Sequence, residues 1–344
     1  MDKIKCHLIL HSKMVHLNQL YSGFIELSKK GLIDLTIENK VHTKEYILEA
    51  IINNKFRVVY DAFDEGWKYS SDISINDADY YFKRSYDSSI HKRISEKIKP
   101  LGLNYNVYSS NGNVFGKKEI LLNYIKKIIK NKKSNFYFED FECEPNITNN
   151  PKICFLTRLW DPDAYEVENE KVRLERIEIN EFRANCIRAC KKEFGESFIG
   201  GVEDSEFARK NYPDCIVGDK SITDRYNFMN IVKSSDICIA TTGLHKSIGW
   251  KFGEYIAASR AIVTEKLHYE IPGEFKSGIN YLEFSSAYEL VNSINKLMKD
   301  NVFRYKMMQN NHDYYVKYVR PDKLVMNTLK QVIQESEEKY ESKS

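Results

Sequence analysis

Apolar residues along this chain follow two rhythms, short uninterrupted runs and stripes recurring every third or fourth position, which alternate from end to end. In the first half, IKCHLIL (Ile4–Leu10) reads as a buried strand. Residues 18–30 carry Leu20, Phe24 and Leu27 on one helical face and stop at Gly31. Residues 33–38 alternate as a strand, 44–53 read as a helix, and FRVVYD (Phe56–Asp61) as a strand. Residues 78–86 and 103–110 give two more strand candidates. The second half repeats the order more clearly. Strands are predicted at 152–159, 197–201, 215–218, 236–242, 261–265 and 280–284, with helices over 172–194, 224–235 and 249–259. Helices close the chain, the last after Pro321.

Strand, helix, strand in repeated order predicts parallel sheets with crossover helices. The rhythm fails over 131–151, a stretch rich in Asn, Lys and Glu with two prolines. The expected organisation is therefore a first α/β domain over 1–135, a linker over 136–151, a second α/β domain over 152–320, and a final helix over 321–344 that crosses back to the first domain.

Composition narrows this picture. A net charge of +3 on 52 basic and 49 acidic residues gives no global case for nucleic-acid binding. Seven cysteines, without zinc-ligand spacing, fit no complete disulfide framework, and Cys186 and Cys190 read as core residues on one helix face. A reduced, cytoplasmic setting follows as the expectation. The apolar run at the N-terminus is too short for a signal peptide, and no stretch approaches the length that spans a bilayer.

Open parallel sheets hold ligands at the carboxyl ends of their strands, so the loops there carry the candidate chemistry. Arg158 follows the 152–159 strand, where a guanidinium would grip a diphosphate in two-pronged fashion. After the 236–242 strand come Thr242, Gly243, His245, Lys246 and Lys251, a small-residue loop leading into a helix N-terminus that favours phosphate. Glu254 lies early in that helix, where a carboxylate would accept two ribose hydroxyls.

The run GWKFGEYIAASRAIVTE resembles the donor-site signature of GT-B glycosyltransferases, specifically group 1 proteins, and NIVKSSDICIATTG resembles the strand and loop before it. The resemblance covers about 170 residues. It implies two Rossmann-like domains with an interdomain cleft, and transfer of a sugar from a nucleotide-diphosphate donor to a glycan hydroxyl in surface polysaccharide or glycan synthesis. It puts Glu254 on the donor ribose and Arg158, in Thr157-Arg158-Leu159, on the diphosphate. Two departures stand out. Lys246 occupies the place of a second Glu found in retaining members, which leaves the stereochemistry open, and the Lys after the family's Arg has no match unless Arg173 or Arg176 substitutes.

The first half would take the acceptor, a glycan or lipid-linked glycan. Asp61 and Asp64 after the FRVVYD strand, His11 after the first strand and Lys246 are the candidate catalytic groups; Trp67, Lys83 and Arg84 are candidate acceptor contacts. Neither metal nor cofactor is expected beyond the donor itself, although Asp161-Pro162-Asp163 and Asp77-Ala78-Asp79 match a D-x-D pattern by chance. The basic amphipathic stretch 117–134 would rest on an anionic membrane surface or cover the sheet. The rival readings are a nucleotide-sugar epimerase on the same fold and a non-catalytic nucleotide- or sugar-binding protein.

Overall fold

In a computed structural model, which describes residues 3–116, 136–167 and 169–341, the chain divides into two compact units. Unit one comprises Met1–Asp140, Tyr269–Gly273 and Tyr315–Ser344; unit two comprises Phe141–His268 and Glu274–Tyr314. The basic stretch 117–134 lies outside the described residues. Among the described residues, no helix is long and apolar enough to cross a membrane.

Unit one is built on β1 (Ile4–Leu10), α1 (Asn18–Lys29), β2 (Ile33–Asn39), β3 (Ile47–Ile52), β4 (Phe56–Asp61), β5 (Tyr80–Lys83), α2 (Ser88–Ile94) and β6 (Ile98–Pro100). The sheet order is β2-β1-β3-β4-β5-β6, and only β3 runs against its neighbours. The helix expected over 44–53 is thus a strand. ILEAII suits a pleated, buried surface, and Asn53 and Asn54, with φ of 52° and 56°, form the left-handed turn that pairs it with β4. A short apolar run does not distinguish the two states by periodicity alone. The stretch 103–110 is not a strand either. It is mostly buried and makes only isolated bridges, at Tyr108 and Ser109, with Tyr105 N donating to Gln19 Oε1 (3.2 Å) and Ser22 Oγ to Val107 O (3.2 Å).

Leu8, Leu10, Phe24, Leu27, Val58, Tyr60 and Phe82 fill the main core of this unit, together with Leu324, Val325, Leu329 and Val332 from near the chain's end. Gly23 permits that closure, because a Cβ there would stand 2.2 Å from Pro321 O.

Unit two holds β7 (Ile153–Thr157), α3 (Glu170–Phe194), β8 (Phe198–Val202), α4 (Glu206–Asn211), α5 (Arg225–Ser234), β9 (Ile237–Ala240), α6 (Trp250–Ala257), β10 (Ala261–Glu265), β11 (Tyr281–Phe284), α7 (Ala287–Lys299) and α8 (Asn301–Tyr314), followed by α9 (Pro321–Glu341) of unit one. Its strands are all parallel in the order β11-β10-β9-β7-β8. The expected strand at 215–218 is replaced by a short 3-10 turn, Pro213–Cys215, and a single bridge from Ile216 to Val202. The stretch read as a linker divides between the units at Asp140. Its later part is tied to unit two: Arg260 Nη2 donates to Glu144 O (3.0 Å), and Thr148 N and Oγ1 donate to Asp236 (2.9 and 2.8 Å). Cys186 and Cys190 are fully buried core residues of α3, and burial pushes the Cys186 thiol up to about 12.

The expected α/β class with two Rossmann-like sheets is what the topology displays. In unit two the chain leaves β7 for β8 on one side and returns to β9 on the other, so the direction of winding reverses between β7 and β9. That reversal opens a crevice at the carboxyl ends of the two strands.

Candidate functional site

A helix that crosses between parallel strands runs against them, so the first turns of α3 overlie the carboxyl ends of the sheet. The inward face of those turns is polar. Arg176, Asn180 and Arg183 recur at spacings of four and three, and each is buried. Asn180 grips the backbone of Trp160, accepting from its N–H (2.9 Å) and donating to its carbonyl (2.7 Å). Arg176 Nη1 donates to Asp161 O (2.6 Å). Arg183 spans the crevice: Nη1 donates to Arg158 O (2.6 Å), Nη2 to Thr242 O (2.9 Å) and Nε to Thr241 Oγ1 (3.0 Å). One guanidinium therefore fixes both loops that border the switch point.

The site is cationic. The exposed Arg158 side chain stacks on the Trp160 ring at 3.9 Å, with Arg176 at 5.5 Å from the same ring. Lys251, from the first turn of α6, donates its ammonium to Leu156 O at the end of β7. Burial lowers the Arg183 guanidinium to about 10, with Glu265 opposing and Arg158 adding to the fall. Burial lowers Lys251 to about 8, with Glu254 opposing and Arg183 and Arg158 depressing it further. Glu166 pairs with Arg176 at 3.2 Å, and Glu203, Glu265 and Glu254 act on Arg158, Arg183 and Lys251; the four cations held this close suit an anionic ligand.

The loop after β9 is strained. His245 and Lys246 have φ of 61° and 58°, uncommon for residues with side chains. Glu175 of α3 holds this conformation by accepting from His245 N (2.6 Å). A Cβ at Gly243 would lie 2.7 Å from Ser247 Oγ, so that hydroxyl would have to turn aside. Thr242 N–H donates to Glu265 Oε2 (2.7 Å), and its hydroxyl approaches the same oxygen (3.2 Å). Burial raises the Glu265 carboxyl, and those two hydrogen bonds oppose it.

The structure thus brings Arg158, Thr242, Gly243 and Lys251 around the switch point of unit two, with His245 and Lys246 in the adjoining loop and Lys246 exposed. Glu254 does not present an open carboxylate there. It is 1% exposed and pairs with Arg225 at 2.6 Å. Of the two arginines offered as substitutes for the missing Lys, Arg176 lies by Arg158 and Trp160, whereas the more exposed Arg173 pairs with Asp163 (2.9 Å). Sequence reasoning missed Arg183, Glu265 and Glu175.

In unit one, Asp61 and Lys83 are corrected. Both are fully buried and pair at 2.8 Å. Asp61 also accepts from Tyr81 OH (2.8 Å) and Phe63 N (2.8 Å), and Lys83 also donates to Lys68 O (2.6 Å). With partners on every side, neither is placed to act as a base or touch an acceptor. Asp64, half-exposed, pairs with the buried Arg84, whose guanidinium burial lowers to about 10. Arg84 is thus also sealed from solvent. Trp67 is 62% exposed near the carboxyl end of β4. His11 donates or accepts through Nε2 at 2.8 Å from Glu49 Oε2.

Lys251 gives a pH signature. Its folded-state value near 8 lies below the ordinary 10.5, so the fold penalises its charged form. That penalty is full below pH 8 and disappears towards pH 10.5. Unit two should therefore gain stability from this group over that window, while affinity for an anion falls as the charge is lost. Calorimetric titration with pyrophosphate is expected to show affinity declining through pH 8–9 with proton uptake on binding, and Lys251→Met should flatten the profile. An unchanged profile in Lys251→Met would remove Lys251 from the site.

No family model matches the chain, and no curated protein matches it. Solved structures do. The C-terminal domain of a glycosyl transferase group 1 family protein from Francisella tularensis is 14% identical with a TM-score of 0.34, covering 52% of this chain and 95% of that one. UDP-GlcNAc 2-epimerase from Neisseria meningitidis, bound to UDP-GlcNAc, is 15% identical with a TM-score of 0.38, covering 74% of this chain and 62% of that one. HepE of Anabaena in complex with UDP-glucose is 11% identical with a TM-score of 0.39, covering 75% and 64%. This chain spans a little under two thirds of the length of the latter two. The solved structures it is similar to thus include glycosyltransferase group 1 proteins and UDP-GlcNAc 2-epimerases, at scores too low to assign it an activity.

Proposed function

We propose that this protein is a glycosyltransferase that takes a sugar from a nucleotide-diphosphate donor and places it on a glycan hydroxyl, in surface polysaccharide or glycan synthesis on the cytoplasmic side of the membrane. The observation that carries this reading is the convergence of Arg158, Arg176, Arg183 and Lys251 on the β7–β9 switch point, beside a strained loop and a helix N-terminus. Such a site suits a diphosphate. Its chemical use is to stabilise the charge that develops on the diphosphate as the bond to the sugar breaks, without drawing a proton from the site. Gly249 caps α6 without a side-chain hydrogen bond, and the positive end of that helix's dipole favours an anion.

Glu254 is proposed as the ribose contact, in which case Arg225 must give way to the two hydroxyls. The exposed Trp67 offers a face on which an acceptor sugar ring stacks. No step calls for a metal ion.

A thermal-shift screen across UDP, GDP, CDP, ADP and TDP identifies the base, because a ligand that binds only the folded state raises its melting temperature. With that nucleotide, Arg158→Ala is expected to weaken binding about tenfold and to reduce turnover at least as much, and Glu254→Ala to weaken binding with a further loss of stability. Wild-type affinity in both would end the donor-site assignment. Conversion of the donor to its epimer without any acceptor would replace transfer by epimerisation, and binding without turnover would leave a non-catalytic receptor.

A further inference from the structure

We propose that unit one holds a binding pocket for one neutral pyranose ring, formed between the first turns of α1 and the loop 108–115. The inference goes beyond the transfer reading, since binding here needs neither a donor nor turnover. Both walls follow from local structure. Asn18 and Tyr21 stand one turn apart on α1, and both are buried. The facing wall, with Tyr108, Asn113 and Phe115, is pinned to the same helix: Ser109 Oγ and Asn111 Nδ2 donate to Glu26 Oε1 (2.5 and 3.0 Å). The space between the walls is about 130 Å³.

Volume and lining together select the ligand. A cavity of about 150 Å³ takes a benzene ring, and drug-sized ligands occupy about 300 Å³ or more. This pocket therefore suits a single six-membered ring, not a nucleotide. Tyr21 and Phe115 meet edge to face at 5.4 Å, and Tyr108 also lines the space. The negative face of such a ring attracts the weakly positive C–H bonds on the face of a pyranose.

Two amides give the pocket its polar character, and they are oriented oppositely. Asn18 Nδ2 is spent on Asn106 Oδ1 (2.9 Å), so its oxygen, on a side chain only 8% exposed, is left as an acceptor with no partner among the described residues. Asn113 is the reverse: its Oδ1 accepts from Phe115 N (2.9 Å), and its Nδ2 is left to donate. One acceptor and one donor match a ring whose hydroxyls each give and take a hydrogen bond. An apolar ligand would leave the Asn18 oxygen unpaired, and an anion would be repelled by it. Lys13 is the single charged residue lining the space, and its ammonium lies over the Phe115 ring at 5.0 Å.

Methyl NMR of the full chain, labelled at Ile and Val, follows titration with the methyl pyranosides of glucose, galactose, mannose and N-acetylglucosamine. At least one should shift the methyls of Val15 and Ile25, which line the pocket, with a Kd of about 1–10 mM, the range for so small a ligand. Asn113→Ser keeps an oxygen for Phe115 N but removes the amide donor, and Phe115→Leu removes an aromatic face; each should weaken that sugar about fivefold. No shift with any of the sugars at about 50 mM overturns the proposal. So does an equal response to cyclohexanol, which would make the space an apolar slot, or a response to inorganic phosphate alone. Undiminished affinity in both variants overturns it as well, and loss in Trp67→Ala would then put the sugar at Trp67. No nucleotide is present in this titration, so its failure would leave the donor site standing. A chain that turns over no nucleotide sugar would end the transfer reading without touching the pocket.

Discussion

Arg183→Met is expected to weaken nucleotide binding at least tenfold and to destabilise unit two by about 2–4 kcal/mol, since hydrogen bonds from charged donors each contribute about 1.5–3 kcal/mol and part of the loss is recovered by water. The side chain connects three acceptors on two loops, Arg158 O, Thr242 O and Thr241 Oγ1. Without it, Arg158 and the loop after β9 no longer share one alignment, and a diphosphate must order them at its own expense. An affinity loss of tenfold or more is expected, about 1.4 kcal/mol. Arg183→Lys should restore little, because a single ammonium does not replace a planar fork with donors in fixed directions. Denaturant unfolding and calorimetric titration of the nucleotide found by thermal shift measure the two losses. If Arg183→Lys keeps wild-type affinity and stability, the clamp is not what organises the site.

Arg183 was legible in the sequence, in retrospect. The apolar members of α3 at helical spacing are Ile179, Phe182, Cys186, Ile187, Cys190 and Phe194. Arg176, Asn180 and Arg183 lead at helical spacing into Ile187 and Cys190, so the buried face changes from polar to apolar partway along. Buried cations on a core-facing stripe need acceptors, and in a parallel α/β unit the only abundant ones near a helix N-terminus are the carbonyls of strand-end loops. Glu265 and Glu175 had no comparable signal. Each is an ordinary-looking Glu whose partner, Thr242 or His245, lies far along the chain, and only folding brings them together.

The parallel sheet of unit two was plain because its strands are buried on both faces and read as continuous apolar runs. Unit one was harder, since β3 is short, antiparallel and preceded by charged residues that suit a helix equally well. That strand matters beyond topology. Read as a helix, 44–53 hid Glu49, and with it the carboxylate that faces His11.

The buried pair of unit one gives the second large effect. Lys83→Met should destabilise the chain by about 3–5 kcal/mol, the usual cost of leaving one member of a buried ion pair alone. Burial already raises Asp61 above its ordinary value, opposed first by the charge of Lys83. Removing Lys83 lets burial act with less opposition. A carboxyl raised in the folded state is penalised in its charged form, so the loss should be greatest at neutral pH and shrink as the pH falls and Asp61 takes a proton. Asp61→Asn with Lys83→Met should recover most of the stability, because the pair is then neutral, with the amide oxygen accepting from Phe63 N and the amide nitrogen donating to the Tyr81 oxygen. Urea unfolding of the two single variants and the double gives the coupling, and additive losses would contradict the pairing. The same double variant separates structure from chemistry. If Asp61 were the base, it would fold and turn over nothing; with Asp61 confined to a structural pair, turnover per folded molecule should match the wild type.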